Sequence, residues 1–344
     1  MIAIVEEVIF KKEFMMSKIF VSVLMVVFLF SCDKDDDNIV TPESSSPTVK
    51  LNATYEVNIR EDIIYAEGLS HDSWNSANTS VVPLLMDSYV PDNDLQNRPL
   101  LMLIHGGAFY GGSKQQEALV NMANYYASRG FAVFSIDYRL NDHKGTIPQE
   151  WIDASSDIPP ANHDQLFAMY PAHRDAKAAL RWIIANAENY HINKDYITLG
   201  GGSAGAITSI GLGVSELGDY KDEISLSEDN TLSTTNLSQT YEVQTILDFW
   251  GSNVSIEILE SIYGYQRFDS NDPALFIAHG TEDPTVPFSS AEDLKTICET
   301  NEIDFVYYPL EGRGHGPWGA TVNGKSLSDL SFDFIVENQS LNIE

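Results

Sequence analysis

A serine enclosed by small residues is the first feature of this sequence that could do covalent chemistry. Ser203 lies in the stretch GGSAG at 201–205, which has the pattern G-x-S-x-G. An apolar run typical of a strand precedes it, and a segment typical of a helix begins at Ala204. A sharp strand-to-helix turn pushes such a hydroxyl clear of the sheet, and bulky neighbours would clash there. Because a helix N-terminus also favours developing negative charge, we predict that Ser203 is a nucleophile.

A second glycine-rich stretch lies about a hundred residues earlier and is independent of the first. The letters HGGAF at 105–109 follow the apolar run 100–104 directly. Consecutive glycines let backbone N–H groups approach a ligand without side chains in the way. An acyl-transfer enzyme needs such donors around the oxyanion of its tetrahedral intermediate, and Gly106, Gly107 and Ala204 could supply them. One alternative is a turn that binds nothing, and the other is a phosphate-binding loop. A phosphate-binding loop would have the pattern G-x-x-x-x-G-K-[ST] or G-x-G-x-x-G, and neither is present here.

The order of three motifs resembles that of α/β-hydrolase esterases. HGGAF at 105–109 follows one strand, DYRL at 137–140 follows the next, and GGSAG at 201–205 comes two strands later. The resemblance covers roughly residues 50 to 340 and is similar to the carboxylesterase and hormone-sensitive-lipase-like branches. It implies a Ser-His-Asp triad in the chain order nucleophile, acid, base. It also implies structural roles for His105 and Asp137. Ala108 departs from the HGGG form of the lipase-like branch.

The family order places the general base in a loop after the last strand. His315 lies in EGRGHGPW at 311–318, after the apolar run 305–308, with glycines on both sides. We predict that His315 is the base. Four other histidines lie in polar segments, where we expect solvated rings: His71, His143, His163 and His191. His173 begins a helix and His279 ends a strand, so we expect packed, hydrogen-bonded rings there.

The acid is expected between the nucleophile and the base. The stretch HGTEDPTVP at 279–287 resembles the family segment H-G-x-x-D-x-x-V-P, in which the aspartate orients the imidazole. This resemblance predicts Asp283 as the acid. Asp248 is the alternative, since some hydrolases place the acid one strand earlier. Asp283 could also be a turn carboxylate that caps the loop before Pro284.

These residues need a sheet to position them. Strands and helices alternate from Leu100 onward, which predicts an α/β-hydrolase fold with a mostly parallel sheet of about eight strands and helices on both faces. Helices are predicted at 119–128, 171–190, 290–300 and 326–336 and from Ala204. Two long excursions, 141–170 and 218–240, are expected over the site at the carboxyl ends of strands. Aromatic residues there or beside the site could line a pocket; they are Trp151, Phe167, Tyr170, Tyr241, Tyr110 and Trp318.

Composition excludes several classes of protein. The 344 residues carry 20 Lys and Arg against 50 Asp and Glu, a net charge of −30. Such a field repels polyanions, so nucleic-acid binding is excluded. Two cysteines, Cys32 and Cys298, cannot build a disulfide scaffold. No grouping of His, Asp and Glu has metal-ligand spacing, so we predict no metal and no cofactor.

The N-terminal segment has the pattern of an export signal. An apolar run of twelve residues, 19–30, follows Lys18 and precedes Ser31 and Cys32. It resembles a bacterial lipoprotein signal with Cys32 as the lipidated residue, and the acidic stretch after it resembles the surface-export signals of Bacteroidetes lipoproteins. We predict a signal peptide over 1–31, with Met16 as a plausible true start. An acidic tether over 32–48 and a catalytic domain over 49–344 follow, on an outer membrane or cell surface. An ordinary cleaved signal is the alternative.

Three functions fit these observations. The first is a serine hydrolase of carboxylic esters that forms an acyl-enzyme, with small-molecule or polysaccharide-linked esters as substrates and acetyl or feruloyl groups as the acyl part. The second is a peptidase or amidase of the same fold. The third is a non-catalytic surface binding protein, which is disfavoured because a residue is present for every catalytic role. Membrane contact is expected only through the lipid anchor.

Overall fold

The computed structural model describes residues 46–344. The predicted signal peptide over 1–31, Cys32 and most of the tether over 32–48 therefore lie outside the described residues.

An eight-stranded sheet forms the centre of the described chain, in the spatial order β2-β3-β5-β4-β6-β7-β8-β9. The first two strands and the β3–β5 pair are antiparallel, and every later neighbour is parallel. The mostly parallel sheet of about eight strands is confirmed. The strands in chain order, with short outlying pairs included, are β1 (Thr48–Val49), β2 (Val57–His71), β3 (Thr79–Pro91), β4 (Arg98–Ile104), β5 (Ala132–Ile136), β6 (Ile192–Gly202), β7 (Thr245–Phe249), β8 (Ala274–Gly280), β9 (Phe305–Leu310), β10 (Thr321–Val322), β11 (Lys325–Ser326) and β12 (Asn342–Ile343).

Helices cover both faces of the sheet, as predicted. One buried apolar cluster joins the sheet to α1 and α7, and the other joins it to α2 through α6. The strands β4, β5, β7 and β8 are buried at every position, so they are mostly apolar instead of alternating between apolar and polar residues. The helices are α1 (Glu117–Ala127), α2 (Gln149–Ala154), α3 (His163–Ala185), α4 (Ala204–Val214), α5 (Val254–Tyr263), α6 (Ser289–Asn301) and α7 (Leu327–Asn338).

The predicted boundaries of one helix were wrong. We expected a helix over 171–190 because apolar residues recur there at helical spacing, at Ala176, Ala179, Leu180, Ile183 and Ile184. In the structure α3 begins at His163, and Pro171 lies inside it. The missing side chain of Gly145 lets its backbone lie against Pro171: an added Cβ would lie 2.6 Å from the proline Cβ. Tertiary packing therefore accommodates a residue that usually breaks helices.

The two excursions differ in content. The first, predicted as a loop over 141–170, contains α2, three short 3-10 helices and the first two turns of α3, so its assignment as loop was wrong at 149–154 and from 163 onward. The second, over 218–240, has one 3-10 helix, Asn230–Thr234. Between residues 46 and 344, no helix combines the length and apolarity needed to cross a membrane.

Candidate active site

The predicted catalytic and oxyanion residues all lie at the end of the sheet where the parallel strands have their carboxyl ends. Loops after β4, β6, β8 and β9 carry Gly106, Ser203, Asp283 and His315 respectively. In the sheet β4 lies next to β6 and β8 lies next to β9, and only β7 separates the two pairs. All of these strands are parallel. Their carboxyl ends meet at the same edge, where open α/β sheets bind ligands.

The turn between β6 and α4 holds Ser203 in a strained conformation. Its φ of 57° and ψ of −123° lie outside the regions that a side chain normally permits. The Ser203 amide donates a hydrogen bond of 2.9 Å to the Phe249 carbonyl of β7. A Cβ on Gly201 or Gly205 would collide with the Ile104 carbonyl, which explains the need for small residues. Ser203 is therefore raised above the sheet at the start of α4.

Ser203, His315 and Asp283 form one hydrogen-bonded relay in the structure. The Nε2 atom of His315 lies 3.0 Å from Ser203 Oγ, and Nδ1 lies 2.7 Å from Asp283 Oδ2. A carboxylate only accepts hydrogen bonds, so Nδ1 of the neutral ring carries the proton. Nε2 then presents its lone pair to the Ser203 hydroxyl, which is the arrangement that a general base needs.

The Asp283 carboxylate is fixed by its own loop. Its Oδ1 accepts hydrogen bonds from the amides of Thr285 and Val286, at 2.8 and 3.1 Å. His279 Nε2 lies 3.4 Å from Oδ2 and 3.0 Å from the Val286 carbonyl, so its proton points toward that carbonyl. Burial lowers the pKa of His279. Asp283 thus has the turn-capping contacts of the alternative interpretation and also reaches His315.

The alternative acid, Asp248, lies elsewhere. It is fully buried on β7, and its Oδ1 accepts a hydrogen bond of 2.8 Å from the Gly251 amide. Its Oδ2 has no hydrogen-bond partner among the described residues. Burial raises the pKa of Asp248 to about 7. Its carboxyl group is therefore part of the core below the site.

The loops that carry the acid and the base are bound to each other. The Glu282 amide donates to the Arg313 carbonyl at 2.9 Å, and the Gly312 amide donates to Thr281 Oγ1 at 2.9 Å. A Cβ on Gly280 would collide with the Arg313 carbonyl, so only glycine permits this approach. These contacts keep His315 within hydrogen-bonding distance of Asp283.

The loop that carries two of the three predicted oxyanion donors, Gly106 and Gly107, lies against the Ser203 turn. A Cβ on Gly106 would lie 3.4 Å from Ser203 Cβ, which places this loop against the turn. Within the described chain, the amides of Gly106, Gly107 and Ala204 donate to no backbone acceptor. His105 Nδ1 lies 2.8 Å from the Gly106 carbonyl and must donate to it. Because C=O and N–H of one peptide point in opposite directions, this bond orients the Gly107 N–H.

Three consecutive left-handed residues shape the oxyanion loop. The φ angles of Gly107, Ala108 and Phe109 are 122°, 54° and 67°. Phe109 is completely buried, and its carbonyl accepts a hydrogen bond of 2.8 Å from the Asn141 amide. Gln165 Nε2 lies 3.4 Å from the Ala108 carbonyl. Sequence reasoning missed Gln165, because residues 163–170 were taken for loop when they begin α3.

The six aromatic residues proposed for a pocket divide into two groups. Phe167 and Tyr241 are partly buried and pack against the core. Trp151 and Tyr170 are fully buried in a cluster with Tyr220, so they belong to the core. Tyr110, beside the oxyanion loop, is 42% exposed, and Trp318, beside His315, is partly exposed. His71, expected to be solvated, is also buried, because its ring contacts the Ser76 carbonyl and Thr146.

Known proteins support an esterase relationship. The BD-FAE family model matches residues 86–158 and 164–261. Esterase LipC of Mycobacterium tuberculosis is 24% identical over 63% of this chain and 53% of that protein. The para-nitrobenzyl esterase of Bacillus subtilis is 30% identical over 36% of this chain and 23% of that protein. The chain therefore spans about half the length, or less, of these curated relatives.

Solved structures share the fold over most of the chain. A truncated carbohydrate esterase from gut microbiota aligns with a TM-score of 0.54 and 21% identity, over 85% of this chain and 99% of the other. Esterase Est2 of Thermogutta terrifontis aligns with a TM-score of 0.53 and 20% identity, over 86% and 94% of the two chains.

Proposed function

Since this chain is a member of the α/β-hydrolase superfamily, we propose that it is a serine esterase that hydrolyses carboxylic esters through an acyl-enzyme. One observation carries this proposal. Ser203 Oγ, His315 and Asp283 lie in hydrogen-bonded series, at 3.0 and 2.7 Å, beside backbone amides that have no backbone acceptor among residues 46–344. A nucleophile, its base, an orienting carboxylate and an oxyanion site are the parts that acyl transfer requires.

In the first half of the reaction, Ser203 Oγ bonds to the acyl carbon while its proton passes to His315 Nε2. The carbonyl oxygen becomes an oxyanion and accepts hydrogen bonds from the amides of Gly106, Gly107 and Ala204. The bond from carbon to the alcohol oxygen then breaks, and His315 gives its proton to that oxygen. Asp283 holds the ring in position and stabilises its positive charge throughout.

In the second half, water attacks the acyl-enzyme. His315 removes a proton from the water as its oxygen bonds to the acyl carbon, and a second oxyanion forms in the same site. The bond to Ser203 Oγ breaks, and the proton on His315 returns to that oxygen. The sum is ester plus water giving acid plus alcohol, with the enzyme restored.

We propose sugars with acetyl or feruloyl groups as the substrate class. A carbohydrate esterase is among the solved structures that share the fold. The net charge of −30 disfavours polyanionic polysaccharides, so neutral sugar chains are the better candidates.

The test is a series of nitrophenyl esters of increasing chain length, assayed with the wild type and with Ser203→Ala. The variant should lose about 10³-fold or more in kcat. Equal rates for the two proteins would refute the proposal. Anilides cleaved as fast as the matching esters would instead support the amidase alternative, and no cleavage of either would support the binding protein.

We also propose that Cys32 carries a lipid that holds the protein on the cell envelope, on the basis of the sequence alone. In cell fractions, the wild type should partition with membranes and Cys32→Ala with the soluble proteins. Unchanged membrane partition of the variant would overturn this proposal.

A further inference from the structure

One tryptophan lies beside the proposed nucleophile and is not required by the mechanism. The Cζ2 atom of Trp318 would lie 2.7 Å from a Cβ on Gly202, the residue that precedes Ser203. The indole packs on the rings of Phe249 and Trp250, with centroids 5.1 and 4.6 Å away. Trp250 is buried, but Trp318 keeps part of its surface exposed. It is therefore a rigidly supported aromatic surface at the edge of the site.

The chemistry of the relay indicates which half of the substrate this surface meets. His315 Nε2 must give its proton to the leaving oxygen, so the alcohol half of the ester lies beside the loop that carries His315. Trp318 is in that loop, and its amide donates a hydrogen bond of 2.9 Å to the Gly316 carbonyl next to His315. The acyl half must extend away from His315. Trp318 thus lies on the alcohol side.

Resting on the proposed esterase function, we propose that Trp318 recognises the alcohol half of the substrate and that this half is the pyranose ring of a neutral sugar. One face of such a ring presents C–H bonds and packs flat on an indole, whose face is electron-rich. A small alcohol such as ethanol covers little of the indole. The net charge of −30 favours a neutral sugar over a uronic acid.

The other aromatic residues near the site do not offer the same contact. Trp151 and Tyr170 are completely buried and unavailable to a ligand. Tyr110 is exposed, but it directly follows the oxyanion loop and is not in the loop that carries His315. Among these aromatic residues, only Trp318 lies in the loop that carries the base. The preference for the alcohol should therefore depend on this one side chain.

The experiment compares two esters of acetic acid, ethyl acetate and a mono-acetylated methyl xylopyranoside. The proteins are the wild type, Trp318→Ala, Trp318→Phe and Trp182→Ala. Trp182 is the matched control because it is also partly exposed, but it lies near the end of α3 against Tyr190. Trp318→Ala should lower kcat/KM for the sugar acetate by about tenfold and change that for ethyl acetate by less than about twofold. Trp318→Phe should keep most of the sugar preference, and Trp182→Ala should keep all of it.

A second readout separates recognition from damage to the site. Both esters give the same acetyl-enzyme, from which the alcohol has already departed, so the rate of deacetylation in Trp318→Ala should equal that of the wild type. Equal losses on the two esters, a slowed deacetylation, or an unchanged sugar preference would overturn the role of Trp318. Absence of any hydrolysis that depends on Ser203 in the wild type would instead refute the esterase function, and this role with it.

Discussion

The carboxylate of Asp283 and the imidazole of His315 lie 2.7 Å apart although 32 residues separate them in the sequence. The contact selects the ring tautomer that faces Ser203 with a lone pair. Replacement of Asp283 by Asn puts an N–H donor or a weaker acceptor beside Nδ1 and permits the wrong tautomer. We expect Asp283→Asn to lower kcat by about 10³- to 10⁴-fold in an ester assay.

Asp248→Asn is the control for this prediction, because Asp248 is the other buried carboxyl group that the sequence suggested as the acid. Its side chain contacts the Gly251 amide, which an asparagine oxygen also satisfies. We expect kcat to stay within about threefold of the wild type. If kcat falls as much in Asp248→Asn as in Asp283→Asn, the assignment of Asp283 as the acid is contradicted.

The oxyanion loop offers a matched pair of glycines. Gly107 has a φ of 122°, and an added Cβ would collide with the Gly111 carbonyl, whereas a Cβ on Gly111 would meet no atom within 4 Å. Gly107→Ala should displace the amide of residue 107 and lower kcat by about 10²- to 10³-fold. Gly111→Ala should leave kcat within about twofold. Similar kinetics for the two variants would remove Gly107 from the proposed oxyanion site.

Strain at Ser203 should be measurable as stability. Its φ of 57° and ψ of −123° cost a residue with a side chain about 1–3 kcal/mol. Glycine avoids this cost but loses about 0.5–1 kcal/mol through greater freedom of the unfolded chain. Denaturant unfolding should therefore find Ser203→Gly more stable than Ser203→Ala by about 1 kcal/mol. The opposite order would show that the turn is relaxed.

The buried Asp248 should make stability depend on pH. Burial raises its pKa from the ordinary 3.8 to about 7 in the folded protein. Between these two pKa values the folded state holds a proton that the unfolded state has released. The contribution of Asp248 to the free energy of unfolding is therefore fully present below about pH 4 and is lost as pH rises through about 7. The contribution of Asp248 to the free energy of unfolding changes by at most about 4 kcal/mol between low and high pH.

Asp248→Asn removes this proton linkage. Asp272 contributes a pH dependence of the same sign, because burial raises its pKa to about 7. Asp248→Asn should therefore remove only part of the dependence of the free energy of unfolding on pH. Unfolding in denaturant at several pH values should show the variant gaining stability relative to the wild type between pH 4 and 8. Parallel profiles for the two proteins would show that Asp248 is ionised in the folded state.

The features that sequence reasoning predicted well are those that a short segment determines. The Ser203 turn requires glycines on both sides, and an apolar run of five residues before His105 is too short for a helix, so both could be read locally. The start of α3 could not, because the packing of Pro171 on Gly145 overrides the usual preference of proline. Likewise, the burial of His71 depends on Thr146, and the position of Trp318 depends on Gly202. Such long-range contacts leave no local pattern.

The most direct test of the account is covalent labelling with a fluorophosphonate, followed by mass spectrometry of the peptides. An activated serine reacts with such a probe, whereas ordinary serines do not. The account predicts one label per chain, on Ser203, and a rate of labelling that falls sharply in His315→Ala. A label on another serine that abolishes hydrolysis, or equally fast labelling in His315→Ala, would contradict it.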